Sequence, residues 1–193
     1  DPLLLDTLPE AELRSGLAEV VKHGVISDPE LFALCAEGWE VVRANLNEIV
    51  RRAMAVKVRV IQLDPYEQGG RAALNLGHTL GHALEQASGY RLRHGEAVAI
   101  GMVAATRLAE RMGGAEAGLA DEIASVLARL GLPVGIPPEL DMDAISAAMG
   151  LDKKRAGGKV RFVLPQRIGE VQTGVEIEDF WQVLNPNQRE DER

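Results

Sequence analysis

The amino-acid sequence predicts a mainly α-helical fold with one small β-hairpin. Long stretches repeat apolar residues with the 3.6-residue period of a helix, whereas a shorter stretch near the C-terminal end has the alternation typical of strands. Apolar residues make up 46% of the 193 residues but aromatic residues only 4%, so we expect an aliphatic core. This length is sufficient to bury a core of reasonable size.

The predicted elements follow in order along the chain. Leu3 to Leu5 are expected to form a short buried strand or connector that ends at Asp6 and Thr7. Pro9 and the acidic residues after it mark the start of the first helix. The apolar pattern predicts helices over residues 10–23, 29–37, 45–63, 94–112, 116–130, 143–150 and 177–184, and a hairpin with strands over residues 159–164 and 170–173.

Charge and cysteine content narrow the classes of function. The formal net charge of -8 argues against general nucleic-acid binding. The single cysteine, Cys35, excludes an internal disulfide framework, which is typical of a reducing cytoplasm. The sequence shows no secretory signal and no apolar run of ~18 residues that could span a membrane. We therefore expect a soluble cytoplasmic protein that binds neither nucleic acid nor membrane.

Three of the four histidines lie close together in the middle of the chain. His78 and His82 are four residues apart, so a helix would project both from one face, and His94 follows a little later. This spacing is typical of a metal site and equally of an acid–base site. Gly77 and Gly81 precede the first two histidines, and glycine inside a helix costs about 0.5–1 kcal/mol relative to alanine. We therefore expect another backbone or a ligand to approach this face closely.

The segments around these histidines resemble a known enzyme family, 3-dehydroquinate synthase, a sugar phosphate cyclase of the shikimate pathway. The similar runs are Asn75-Leu-Gly-His78-Thr-Leu-Gly-His82-Ala-Leu-Glu85, His94-Gly-Glu96-Ala-Val-Ala-Ile-Gly-Met102, Gly16-Leu-Ala-Glu19-Val-Val-Lys22-His23-Gly24 and Asp152-Lys153-Lys154. The resemblance spans nearly the whole chain but only the C-terminal half of the family. It implies a multi-helical C-terminal domain with a small β-hairpin, without the family's N-terminal Rossmann-like α/β domain.

The resemblance implies a role for each candidate residue. Glu19, His78 and His94 would bind one divalent metal ion, Zn²⁺ or Co²⁺, and would leave a coordination position open. A small anionic sugar phosphate would contact cationic and polar side chains, namely Lys22, Lys57, Arg71, Asn75 and one of Lys153 and Lys154. Glu67 and His82 would be the acid–base residues. The NAD site would be lined by Leu4, Leu5, Asp6 and Thr7.

The resemblance also implies an activity and a division of the chain. The family converts 3-deoxy-D-arabino-heptulosonate 7-phosphate to 3-dehydroquinate and phosphate, a carbon–oxygen lyase reaction in which NAD is regenerated. Residues 1–9 would connect two domains and contribute to the NAD site, residues 10–185 would bind metal and substrate, and residues 186–193 would be a polar tail. We expect a homodimer, and we expect no turnover from this chain without the missing NAD-binding domain.

Three other interpretations stay open. Another sugar phosphate cyclase, acting on sedoheptulose 7-phosphate, would share the metal and phosphate residues. A polyol dehydrogenase of the same superfamily would instead produce NADH. A non-enzymatic helical module would use the glycines for packing and would bind no metal. His23 is interpreted as incidental, and Cys35 as a packed small apolar residue.

Overall fold

The computed structural model describes residues 2–66, 69–155, 160–177 and 180, and of residues 151–155 it describes the backbone alone. Within these ranges the fold is mainly helical with one two-stranded antiparallel sheet, as predicted. The helices are α1 (Glu10–Ser27), α2 (Pro29–Ala36), α3 (Trp39–Ala44), α4 (Leu46–Leu63), α5 (His78–Ala87), α6 (His94–Arg111), α7 (Leu119–Arg129) and α8 (Met142–Arg155). Two 3-10 helices cover Pro2–Thr7 and Gly70–Asn75, and the strands are β1 (Arg161–Arg167) and β2 (Glu170–Glu176).

Helix α6 lies at the centre of the fold. It packs against α1, α5, α7 and β1, and most of its residues are buried. Its side chains are mainly alanine, valine and other aliphatic residues, so the core is aliphatic, as the composition predicts. Because α1 and α5 both contact this helix, the segments that carry Glu19 and His78 are held against one element.

Close backbone contact between α5 and α6 explains the glycines next to the histidines. A Cβ atom at Gly77 would lie 2.6 Å from the Val98 carbonyl oxygen, and one at Gly81 would lie 3.3 Å from the Ala97 carbonyl oxygen. On the other helix, a Cβ atom at Gly101 would collide with the Gly77 carbonyl oxygen. The predicted approach of another backbone is therefore confirmed, although Gly77 lies before α5, in a left-handed conformation with φ of 80°.

The hairpin lies against α1 and α6. Its strands pair with Arg167 opposite Glu170, and Gly169 in the turn adopts a positive φ of 90°. The N–H of Gly169 donates a hydrogen bond of 2.9 Å to the Val25 carbonyl oxygen, which ties the turn to α1. The predicted hairpin is confirmed, but β1 buries four consecutive residues instead of alternating, because it contacts α6, α1 and the 3-10 helix Gly70–Asn75.

The N-terminal segment does not form the buried strand that was one of the two expected states, a strand or a connector. Pro2–Thr7 is a 3-10 helix in which Leu3 is 69% exposed and Leu4 is 75% exposed. The N–H of Leu8 donates to the Leu5 carbonyl oxygen at 3.1 Å, and this local bond closes a turn instead of a strand ladder. An apolar triplet alone does not reveal whether a neighbouring element covers it.

Several helix boundaries also differ from the predicted ones. Helix α1 continues to Ser27, since Gly24 packs against Phe32 of α2 and does not end the helix. Helix α7 begins three residues late, after Gly118 with φ of 85°, and α8 continues through the region of Lys153 and Lys154 to Arg155. The sequence analysis also missed α3, which begins after Gly38.

Some predicted features lie outside the described residues. These are Glu67, most of the predicted last helix (residues 177–184) and the tail over residues 186–193. Of that last helix the structure describes Ile177 and Phe180, whose ring stacks on Phe162 with centroids 5.0 Å apart. Across the described part of the chain, none of the helices combines the length and apolar character needed to span a membrane.

Replacing Gly101 by alanine tests the contact between α5 and α6. We expect Gly101→Ala to lower the free energy of unfolding by about 2–3 kcal/mol, because the added Cβ atom must displace backbone. Gly16→Ala is the matched control, since Gly16 lies exposed inside α1 with open space around it and should gain up to ~1 kcal/mol. Urea unfolding measures both, and equal stability of the two variants would contradict the proposed packing constraint.

Candidate metal centre

Three helices bring one carboxylate and two imidazoles together. Glu19 lies in α1, His78 is the first residue of α5, and His94 is the first residue of α6. One ligand atom from each of these residues lies within 4.8 Å of the other two. The Glu19 Oε1 atom is 3.5 Å from His78 Nε2 and also 3.5 Å from His94 Nε2. The predicted metal-ligating residues therefore converge on one point.

The backbone before each helix places its histidine. The left-handed conformation of Gly77 directs the chain from the preceding 3-10 helix into α5 at His78. After α5, Gly89 and Tyr90 both have positive φ, 61° and 60°, and turn the chain back towards α6. The N–H of Arg93 then donates to Glu96 Oε2 at 2.8 Å, which caps the helix that starts at His94. The two imidazoles are thus positioned by local turn and cap geometry.

The protonation state of His78 suits a metal ligand. Its Nδ1 atom is 3.1 Å from the Leu76 carbonyl oxygen, and a carbonyl only accepts, so Nδ1 carries the proton and Nε2 has the free electron pair. Burial lowers the pKa of His78 to about 4, and the positive charge of Lys22 contributes to this shift. The ring is therefore neutral at pH 7, as a metal-bound imidazole must be.

Lys22 contacts Oε2 of the Glu19 carboxylate, the oxygen that does not face the two imidazoles. The residue is only 2% exposed, and its ammonium group donates a hydrogen bond of 2.5 Å to Glu19 Oε2. Burial alone would raise the pKa of Glu19, but the charge and hydrogen bond of Lys22 outweigh it and the net pKa lies below the ordinary value. Lys22 therefore keeps this carboxylate ionised and fixes its orientation.

The remaining carboxylate oxygen fits a metal ion. Glu19 Oε1 is buried and has no hydrogen-bond partner among the described residues, yet it faces the two Nε2 atoms. A buried unpartnered acceptor is costly, and a cation between it and the imidazoles would satisfy it. One carboxylate oxygen with two imidazole nitrogens is a donor set that suits Zn²⁺ or Co²⁺.

His82 belongs to the same cluster of rings but not to the convergent ligand set. Its ring centroid lies 5.3 Å from that of His78 and 6.4 Å from that of His94, and the residue is exposed. The set of three mutually close ligand atoms does not include it. The geometry therefore places His82 beside the centre and outside the set of close ligand atoms.

Predicted substrate-binding residues lie on α1, on α4 and on the 3-10 helix before His78. Burial lowers the pKa of Lys22, Glu19 opposes this effect, and the charge of Lys57 on α4 adds to the lowering, so Lys57 lies near enough to act on it. Arg71 and Asn75 belong to the 3-10 helix that leads into His78, and the N–H of Arg71 donates to Asp64 Oδ2 at 3.0 Å.

The structure does not describe every predicted site residue. Lys153 and Lys154 lie on α8, which packs against α5, but only their backbone is described. Glu67 lies outside the described residues. Near the start of the chain, Leu5 and Asp6 of the expected NAD segment line a cavity of about 410 Å³ together with Trp39 and Arg43.

Sequence reasoning missed one residue that contacts the site. Glu85 received no role, yet its Oε1 atom is 3.3 Å from His94 Nδ1. Its position seven residues after His78, two helical turns on, was the signal that could have found it. His23, interpreted as incidental, is only 6% exposed and both of its ring nitrogens lack partners among the described residues. Burial lowers the pKa of His23 to about 4.

Two solved structures named as synthases share this fold. The 2-epi-5-epi-valiolone synthase of Streptomyces hygroscopicus subsp. jinggangensis, solved with NAD⁺ and Zn²⁺ bound, matches with a TM-score of 0.80 and 30% identity, over 95% of this chain and 52% of that one. A 2-deoxy-scyllo-inosose synthase complexed with carbaglucose-6-phosphate, NAD⁺ and Co²⁺ matches with a TM-score of 0.77 at 21% identity, over 96% of this chain and 55% of that one, which supports the fold alone. The fold is therefore that of the matched half of sugar phosphate cyclases.

The family follows from the sequence comparisons. The family model for the 3-dehydroquinate synthase C-terminal domain matches residues 16–155. Relatives named 3-dehydroquinate synthase are 44% identical in Synechocystis sp., over 89% of this chain and 49% of the relative, and 47% identical in Synechococcus sp., over 89% and 48%. The chain belongs to the 3-dehydroquinate synthase C-terminal family, as the motifs predicted. It spans about half the length of the curated relatives it matches.

Replacing His23 by leucine tests the cost of its buried imidazole. The folded-state pKa of about 4 lies below the ordinary value of 6.5, so between these pH values the unfolded chain binds more protons than the folded chain. Stability should therefore fall as the pH drops from 6.5 to 4, by an amount on the order of 2–3 kcal/mol from this residue. His23→Leu should lose this part of the pH dependence.

Urea unfolding at several pH values, with a chelator present, measures the slope for both proteins. Gly16→Ala changes an exposed position of the same helix with open space around it, removes no titratable group, and should keep the wild-type slope. A slope that is the same in His23→Leu and wild type would show that the ring titrates normally in the folded protein.

Proposed function

We propose that this chain is the metal- and substrate-binding part of a 3-dehydroquinate synthase. In the intact protein it would convert 3-deoxy-D-arabino-heptulosonate 7-phosphate to 3-dehydroquinate and phosphate. The convergence of Glu19, His78 and His94 is the observation that carries this proposal. The names of the curated relatives support the choice of reaction within the sugar phosphate cyclases.

The metal would be held by Glu19 Oε1 and the Nε2 atoms of His78 and His94. When bound, it would supply Lewis-acid chemistry, polarising a substrate oxygen and lowering the pKa of a hydroxyl group. Three protein ligands leave room for that oxygen. Lys22, which already donates to Glu19 Oε2, would keep the carboxylate turned towards the ligand position, in addition to any contact it makes with substrate.

The cationic side chains would bind the anionic groups of the substrate. Lys57 is exposed and its charge already acts on the buried Lys22, so it adds positive potential on this side of the centre. Arg71 and Asn75 would contribute from the 3-10 helix before His78, and one of Lys153 and Lys154 from α8. Together they would bind phosphate and carboxylate groups in a chain that is acidic overall.

Residues beside the metal would transfer protons to and from the substrate. His82 is exposed, lies next to the His78 ring and does not share the ligand point, so its ring nitrogens could exchange a proton with a substrate hydroxyl or carbon acid. Glu67 would be the second acid–base residue. NAD would supply reversible hydride transfer, and Leu4, Leu5, Asp6 and Thr7 would contact it. The homodimer and the cytoplasmic location stay predictions.

Zinc content tests the metal centre directly. The purified chain should carry about one equivalent of zinc by elemental mass spectrometry, and His78→Ala and His94→Ala should each lose it, because two remaining ligands bind weakly. His82→Ala is the matched control, since the same residue type is removed from the same cluster, and it should retain the metal. Zinc retained in His94→Ala, or absent from the wild-type chain supplied with zinc, would contradict the assigned ligands.

A chimaeric protein tests the reaction. This chain would replace the matching half of the Synechocystis 3-dehydroquinate synthase, with which it is 44% identical. We expect phosphate release from 3-deoxy-D-arabino-heptulosonate 7-phosphate, at least 100-fold faster than in a chimaera that carries His78→Ala. Phosphate release from sedoheptulose 7-phosphate alone would favour another cyclase, and net NADH production would favour a dehydrogenase.

A further inference from the structure

The carboxylate of Glu85 lies on the far side of the His94 ring from the proposed metal position. Its Oε1 atom is 3.3 Å from His94 Nδ1, within hydrogen-bonding distance, while His94 Nε2 faces Glu19 Oε1 at 3.5 Å. The His94 ring is therefore placed between two carboxylates, one at each nitrogen. The side chain of Glu85 is only 16% exposed, whereas that of His94 is 47% exposed.

This arrangement favours a proton on Nδ1, because the contact with Glu85 has hydrogen-bond geometry whereas Glu19 Oε1, beside Nε2, has no hydrogen-bond partner among the described residues. An ionised carboxylate only accepts hydrogen bonds, so the bond between Glu85 and His94 requires hydrogen on Nδ1. A neutral ring protonated at Nδ1 has its electron pair on Nε2, the atom that faces the ligand point. His78 has the same Nδ1–H tautomer for a different reason, because its Nδ1 atom donates a hydrogen bond to the Leu76 carbonyl oxygen.

The fold gives Glu85 a firm position from which to act. It lies on α5 two turns after His78, and the tight turn through Gly89 and Tyr90 folds α6 back beside it. The N–H of Tyr90 donates to the Glu85 carbonyl oxygen at 2.8 Å, so the backbone of this residue is part of the turn that places His94. The more exposed of the two imidazoles thus has a fixed partner.

We propose that Glu85 is a positioning residue that holds His94 in its Nδ1–H tautomer and orients Nε2 towards the metal. This inference rests on the proposed metal centre and extends it by one residue outside the ligand set. Carboxylate partners of metal-bound histidines typically contribute 10–100-fold to metal affinity. Glu85 should contribute in that range.

The first readout needs no metal. Nitrogen-15 NMR of the histidine rings, at pH 8 with a chelator, reports the tautomer of His94. We expect the Nδ1–H form in the wild-type chain and in Glu85→Gln, whose amide oxygen can still accept, and a shift towards the Nε2–H form in Glu85→Ala. Gln86→Ala removes the exposed neighbouring side chain from the same helix and should leave the tautomer unchanged.

The second readout is the zinc dissociation constant, measured by competition with a chromophoric chelator. Glu85→Ala should weaken binding 10–100-fold, Glu85→Gln by less, and Gln86→Ala not at all. A wild-type His94 in the Nε2–H form, or an unchanged tautomer and zinc affinity in Glu85→Ala, would overturn the role of Glu85. If the wild-type chain binds no zinc, the proposed metal centre fails, and the tautomer shift still decides the role of Glu85.

Discussion

The contact between the start of α5 and the middle of α6 is the constraint on which the site depends. The Gly77 carbonyl group lies where any side chain at residue 101 would begin, so the two backbones touch without intervening atoms. Close packing of this kind transmits small changes, because interiors have little free volume. The spacing between His78 and His94 therefore follows from a contact that neither histidine makes.

The pKa values of Glu19 and His78 in the metal centre depend on burial as much as on neighbouring charge. Lys22 is almost fully buried, and its partner Glu19 is ionised because that ammonium group lies beside it. Burial lowers the pKa of His78 and the positive charge of Lys22 adds to this shift, so the same side chain favours one charged ligand and one neutral ligand. A metal ion would meet two donors, Glu19 and His78, that already have the protonation states it requires.

Much of this organisation could be predicted from the sequence, and the exceptions have physical reasons. The spacing of His78, His82 and the glycines predicted a site in this segment and a close backbone contact, since helical period and glycine cost are local properties. The set of Glu19, His78 and His94, which converges in the structure, came instead from the resemblance to the family. The exposure of Leu3 and Leu4 could not be predicted, because burial depends on neighbours that an apolar triplet does not specify. The partnership of Glu85 with His94 depends on the turn between α5 and α6, and Tyr90 adopts a left-handed backbone there that sequence alone does not indicate.

The origin of the three ligands in three separate helices links the centre to folding. In an unfolded chain Glu19 has no fixed relation to His78 or His94, so a metal that binds this site binds the folded state alone and stabilises it in proportion to its free concentration. The fraction of metal sites that are occupied then depends on the fraction of molecules that are folded. A core substitution far from any ligand would weaken apparent metal affinity once the unfolded fraction is significant, and metal supply would in turn determine how many such substitutions the protein tolerates.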